Sequence, residues 1–183
     1  MPLMHLGSTY LPFGAEKYIA DKIKNGISIN TEWNCEYQNY TKLEGFELTE
    51  DQRRTSEYMC KHNLAMLVGY GGAGKSSSTK AFVNMLDDYN KSYLLLAPTG
   101  RAAKVLSGYI GKEAMTIHRG LGFYPGHGWA YNEEHPLMCD VVIVDEFSMV
   151  DIFLFRHLLE AIDFNRTKLL LIGDDAQIPS VGA

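Results

Sequence analysis

No apolar run in this chain approaches the roughly 20 residues that a bilayer-spanning helix requires, so the sequence offers no transmembrane segment. The opening residues, Met-Pro-Leu-Met-His-Leu, lack the basic start and longer apolar stretch of a secretory signal. Cysteine is scarce. The three thiols, Cys35, Cys60 and Cys139, are odd in number and scattered, with no CxxC or Cys/His ligand spacing. That excludes a disulfide framework or zinc site as the organising feature and fits free thiols in a reducing compartment. Basic residues are not in excess: 17 Lys and Arg against 22 Asp and Glu leave a net charge of -5. Any nucleic-acid contact must therefore come from a local patch or groove. Internal repeats and low-complexity segments are also missing. What remains is a soluble, cytoplasmic globular chain of 183 residues, 46% hydrophobic, with room for one good core and at most a small extra subdomain.

The strongest positive feature is residues 69–76, Gly-Tyr-Gly-Gly-Ala-Gly-Lys-Ser, a complete GxxxxGK[ST] phosphate-binding loop. An apolar run at 64–68 precedes it, and residues 75–88 follow with Phe82, Met85 and Leu86 at helical spacing. Strand, loop and helix come in the order this motif needs. Its glycines let successive N–H groups turn inward on the phosphates, and the helix adds its positive end. The nucleotide cradle is expected at Gly71, Gly72, Ala73, Gly74, Lys75, Ser76 and Ser77. Lys75 would reach the β- and γ-phosphates of ATP, and the Ser76 hydroxyl would ligate Mg²⁺.

The first 45 residues, rich in Tyr, Asn, Lys and Glu, differ in texture and carry one helical pattern at 15–25 ended by Gly26. They read as a small N-terminal segment or the remnant of a preceding domain. From Thr49, Thr-Glu-Asp-Gln fits a capping box that opens a helix to about Lys61. Strands are expected at 64–68, 93–97, 141–144 and 168–172, and helices at 75–88, 101–106 and 151–162. Residues 120–136, rich in Gly, Pro and His, look like an irregular insertion. Its Phe123, Tyr124, Trp129 and Tyr131 suit base stacking or a wedge, and equally a packed surface loop. Alternating short apolar strands and helices imply an α/β fold, a parallel sheet with helices on both faces. Ligands then bind beyond the carboxyl ends of the strands.

The remaining polar segments sit just after strands. Asp145 and Glu146 end the 141–144 run. Asp145 is placed to hold Mg²⁺ opposite Ser76, and Glu146 to polarise the attacking water as general base. The pair also suits an ordinary helix start, where acids favour the dipole. Gln177, after the last strand, is placed to sense the γ-phosphate or to be a solvated turn amide. Residues 97–104, with Pro98, Thr99, Arg101 and Lys104, and residues 116–119, with His118, offer a hydroxyl, backbone N–H groups and cations to a polymer's phosphates. Both also fit structural roles, a capped helix and a satisfied histidine.

Taken together, these segments resemble the RecD-like branch of superfamily one DNA helicases, an exodeoxyribonuclease V alpha-subunit-like pattern covering about residues 46–183. Residues 48–52 (Leu-Thr-Glu-Asp-Gln) look like the Q motif, 69–76 motif I, 97–103 (Ala-Pro-Thr-Gly-Arg-Ala-Ala) motif Ia and 116–118 (Thr-Ile-His) motif Ib. Residues 144–149 (Val-Asp-Glu-Phe-Ser-Met) look like motif II, and 173–182 (Gly-Asp-Asp-Ala-Gln-Ile-Pro-Ser-Val-Gly) motif III. The resemblance implies a RecA-like P-loop lobe with Gln52 on the adenine and Gln177 as γ-phosphate sensor. It implies Pro98, Thr99, Arg101 and His118 facing single-stranded DNA, and 5′ to 3′ movement. Recombination or repair proteins are the implied partners. The family closes its ATP site with a second RecA-like lobe that brings an arginine to the transition state, worth about 10³ to 10⁵ in rate in such systems. Motifs IV to VI have no counterpart here, so the expectation is a fragment that binds nucleotide weakly, hydrolyses slowly and does not unwind DNA. The alternative is a non-helicase P-loop ATPase acting as a nucleotide switch. A kinase is disfavoured by the lack of an Arg-rich lid.

Overall fold

The computed structural model describes residues 13–69 and 73–174. In chain order these form α1 (Phe13–Ser28), β1 (Lys42–Leu43), β2 (Phe46–Glu47), α2 (Glu50–Lys61), β3 (Leu64–Gly69), α3 (Ala73–Asp88) and β4 (Tyr93–Ala97). Then follow α4 (Gly100–Ile110), β5 (Ala114–Thr116), α5 (Ile117–Gly120), β6 (Phe123–Tyr124), β7 (Gly128–Trp129), β8 (Val141–Val144), α6 (Ile152–Glu160) and β9 (Lys168–Asp174).

Strands β3, β9, β8, β4 and β5 form one sheet in that order, every pairing parallel. The two-residue period of a strand then decides which face each side chain enters. Leu96, Val142, Val144, Leu169 and Leu171 join Ile19 of α1 and Leu158 of α6 in one core. Their neighbours Leu95, Val141, Ile143, Leu170 and Ile172 join Met59 of α2, Phe82 of α3 and Leu106 of α4 in the other. Because both faces are covered, β8 is buried at all four positions and β9 from Lys168 to Gly173. That explains why these segments read as continuous apolar runs. The α/β sheet with helices on both faces matches the sequence expectation.

Local chemistry sets the element ends. Thr49 caps α2 in a full capping box. Thr99 caps α4, and Gly111 closes it in the left-handed conformation at φ 76°. α4 thus runs to Ile110, four residues past its predicted end, because Leu106 and Ile110 bury the same side across an interrupting Ser107-Gly108 pair. The 120–136 insertion is less irregular than expected, since β6 and β7 pair as a small antiparallel hairpin. Gly122 permits this at φ 65°, and a Cβ there would lie 2.6 Å from that of Ala130.

The N-terminal segment is fastened to the sheet. The ammonium of Lys168, at the start of β9 and 1% exposed, donates to the carbonyls of Thr31 (2.5 Å) and Met59 (2.7 Å). It also sits 4.4 Å from the centre of the Trp33 ring. Burial holds its pKa down at about 8.

Candidate nucleotide and nucleic-acid site

The parallel register brings the ends of neighbouring strands out on one edge of the sheet. Gly69 pairs with Asp174, Val144 with Leu171, Leu96 with Val144, and Ala97 with Thr116. The described residues singled out after β4, β5 and β8, and the first turn of α3, therefore line one edge.

α3 starts at Ala73, which puts Gly74, Lys75 and Ser76 in its first turn. There the backbone N–H groups lack intrahelical acceptors and the helix dipole is positive, an arrangement that attracts phosphate. The Ser78 and Thr79 hydroxyls turn back along the helix to the carbonyls of Gly74 (2.9 Å) and Lys75 (2.8 Å). Ser77 lines a small cavity against the β1–β2 hairpin with Leu43, Phe46 and Gln52. The Ser76 hydroxyl is near the phenol of Tyr109 of α4. The Tyr109 phenol donates to Asp145 Oδ2 at 3.2 Å. Burial, and then the Asp145 carboxylate beside it, push this phenol's pKa well up. Ser76 and Asp145 thus flank the same phenol. Their donor set, one hydroxyl and one carboxylate, suits Mg²⁺, which takes few protein oxygens and completes its shell with phosphates and water.

Lys75 forms an ion pair with Asp174 at the end of β9. Asp145 continues β8, its N–H bonded to the Leu96 carbonyl at 2.9 Å. At Glu146 the backbone swings into the left-handed region, φ 52° and ψ 41°, and opens the short 3-10 turn Phe147–Met149. Adjacent carboxylates are thereby sent in different directions.

Gln52 is engaged on its carbonyl side only. Its Oε1 accepts from the Thr49 N–H at 2.9 Å, and its own N–H donates to the Thr49 hydroxyl at 3.2 Å. Its Nε2 points toward the phosphate loop, 3.9 Å from where a Cβ on Gly74 would stand. The capping role foreseen for this amide is present and uses its oxygen. Beside it a cavity of about 650 Å³ opens between α2, β3 and Lys75, with Tyr58, Met66 and Val68 among its lining. That volume is within the range of small-molecule sites.

On the same edge, Pro98 is half-buried while Thr99, Arg101 and His118 are exposed. Thr99 Oγ1 accepts from the Ala102 N–H at 3.1 Å, leaving its proton to donate outward. His118 lies against the insertion, its ring centre 5.5 Å from Phe123 and 5.3 Å from Trp129. Trp129 in turn stacks on His157 at 4.3 Å. Two of the insertion's aromatics are therefore packed, whereas Tyr124 stays 66% exposed.

Of the predicted site residues, Gly71, Gly72 and Gln177 lie outside the described residues. Two participants were missed. Asp174 belongs to the quoted 173–182 segment, but nothing local marks it as the partner of Lys75. Tyr109 carries no signal at all, because a tyrosine beside Leu106 and Ile110 on a helix reads as core.

A family model described as AAA domain matches residues 52–183. The ATP-dependent RecD2 DNA helicase of Deinococcus radiodurans is 34% identical over 186 residues, covering 97% of this chain and 25% of its own length. The RecBCD enzyme subunit RecD of Haemophilus influenzae is 28% identical over 194 residues, covering 91% of this chain and 30% of its own. Among solved structures, the Pif1 helicase from Candida albicans superposes with a TM-score of 0.52 at 25% identity, over 70% of this chain and 33% of that one. The chain spans a quarter to a third of the length of these relatives.

Proposed function

The chain belongs to the AAA-domain family, as the RecA-like lobe of a RecD-like superfamily one helicase, and from that membership we propose that it is the ATP-binding and hydrolysing half of a 5′ to 3′ DNA motor. Residues 46–183 are the lobe in this reading, and residues 1–45 are a segment ahead of it. The observation that carries the proposal is the placement of Lys75 and Ser76 in the first turn of α3, with Asp145, Thr99, Arg101 and His118 following the ends of the neighbouring strands on the same sheet edge.

In the proposed mechanism the first turn of α3 binds the phosphates through its N–H groups, and Lys75 exchanges Asp174 for the β- and γ-phosphates. Ser76 and Asp145 hold Mg²⁺, which when bound neutralises charge developing on the phosphates. Glu146 orients the attacking water and takes its proton. Gln52 donates from Nε2 to the base, and Gln177 senses the γ-phosphate. Pro98, Thr99, Arg101 and His118 grip single-stranded DNA, largely without regard to sequence and in a salt-sensitive way. A second RecA-like lobe completes the site. The setting in this reading is the cytoplasm, and the partners are recombination or repair proteins, the latter supported by the relative named as a subunit of the RecBCD enzyme.

Nucleotide binding and ATPase assays of the whole gene product test this. Lys75→Ala is expected to abolish nucleotide binding, whereas Glu146→Gln spares binding and stops hydrolysis; equal loss of binding in both contradicts the assigned roles. Single-stranded DNA should raise the ATPase rate, and if it changes neither rate nor affinity the protein is a nucleotide switch instead. The 183-residue chain alone should turn over slowly and unwind nothing.

A further inference from the structure

Resting on the nucleotide-site reading above, we propose that Tyr109 is a positioning residue for the metal, holding the Ser76 hydroxyl and the Asp145 carboxylate in the arrangement Mg²⁺ requires. The three residues come from three elements that share no local sequence: the first turn of α3, the last turn of α4, and the turn after β8. The phenol stands between them. Tyr109 donates its proton to Asp145 Oδ2 at 3.2 Å, and its oxygen is near the Ser76 hydroxyl. A serine hydroxyl can ligate a cation only through its lone pairs, so its proton needs an acceptor on the far side. In the proposal the Tyr109 oxygen is that acceptor once the metal is bound. The same hydroxyl fixes one oxygen of the carboxylate, which sets the direction of the group. Outer partners of metal ligands act in this way, orienting the donors without touching the ion.

The ring itself packs with the core containing Phe82, Leu106 and Ile110, a contact that phenylalanine would make equally well. Tyr109→Phe therefore removes the hydroxyl and leaves the packing.

The test is equilibrium binding of a fluorescent ADP analogue to the full chain, with Mg²⁺ titrated upward from an EDTA-treated sample. Tyr109→Phe is expected to raise the Mg²⁺ concentration at half-saturation by about tenfold or more. Affinity in EDTA and the thermal midpoint should stay at wild-type values. A purely structural phenol would shift the thermal midpoint and leave the Mg²⁺ requirement alone. An unchanged or lowered Mg²⁺ requirement in the variant, beside a wild type with a clear one, overturns the role of Tyr109 and leaves the nucleotide-site reading standing. Equal loss of affinity with and without Mg²⁺ also overturns it. A wild type that binds no nucleotide at any Mg²⁺ concentration sinks both.

Discussion

At Glu146 the chain adopts a left-handed backbone that a residue with a Cβ enters at a cost of about 1 kcal/mol or more. Such strain persists where the surroundings fix it, and here Phe147 is buried just beyond while Asp145 is bound into the sheet just before. Glu146→Gly should therefore stabilise the fold by about 1 kcal/mol in denaturant unfolding while abolishing ATP hydrolysis. A destabilised variant would mean that the carboxylate contributes more to the fold than its backbone withholds. The placement of Asp145 and Glu146 just beyond β8 was legible because four apolar residues deliver them directly. Tyr109 was not legible, because its partners lie far away in sequence and only the fold brings them to its hydroxyl.

Among the elements, β9 shows how a strand can bind a segment that the sequence left detached. An ammonium at its head is buried beneath Trp33, with two backbone carbonyls as acceptors. Burial lowers the folded pKa of Lys168 to about 8, whereas an unfolded lysine titrates near 10.4. Between those values the unfolded chain holds more protons, so this group makes stability rise with pH; below about pH 8 its desolvation cost is present in full. Wild type should gain stability relative to Lys168→Met as pH is raised from about 8 to about 10, measured by urea unfolding at each pH. A flat or falling difference would show that the ammonium is not desolvated. The helices at 50–61 and 73–88 were predictable from caps and periodicity. β5, β6 and β7 were not, since strands of two or three residues carry no readable period.

At the scale of the molecule, the two-faced sheet was readable because parallel strands covered on both sides must be apolar throughout, and 141–144 and 168–172 are nearly so. The strand order was not readable, since every apolar run of this length suits any inner place in a sheet. That order, β3-β9-β8-β4-β5, sets Asp174 beside Gly69 and, through it, beside Lys75. The half-committed amide of Gln52 bears on the molecule's choice of fuel. With one lone pair of Oε1 held by the Thr49 N–H, the side chain faces a base with its two Nε2 protons, while its oxygen stays turned to the helix cap. Adenine and guanine both present N7 to a donor, and they differ at position 6, where only an acceptor could recognise adenine's amino group. If Gln52 meets the base as proposed, through Nε2 while Oε1 stays on the cap, the contact recognises a purine rather than adenine. GDP should compete for the site within about tenfold of ADP; sites that use both atoms to reject the wrong base reach discrimination of about 10⁴. A preference that large would show that an acceptor, Oε1 or another group, reaches position 6 of the base.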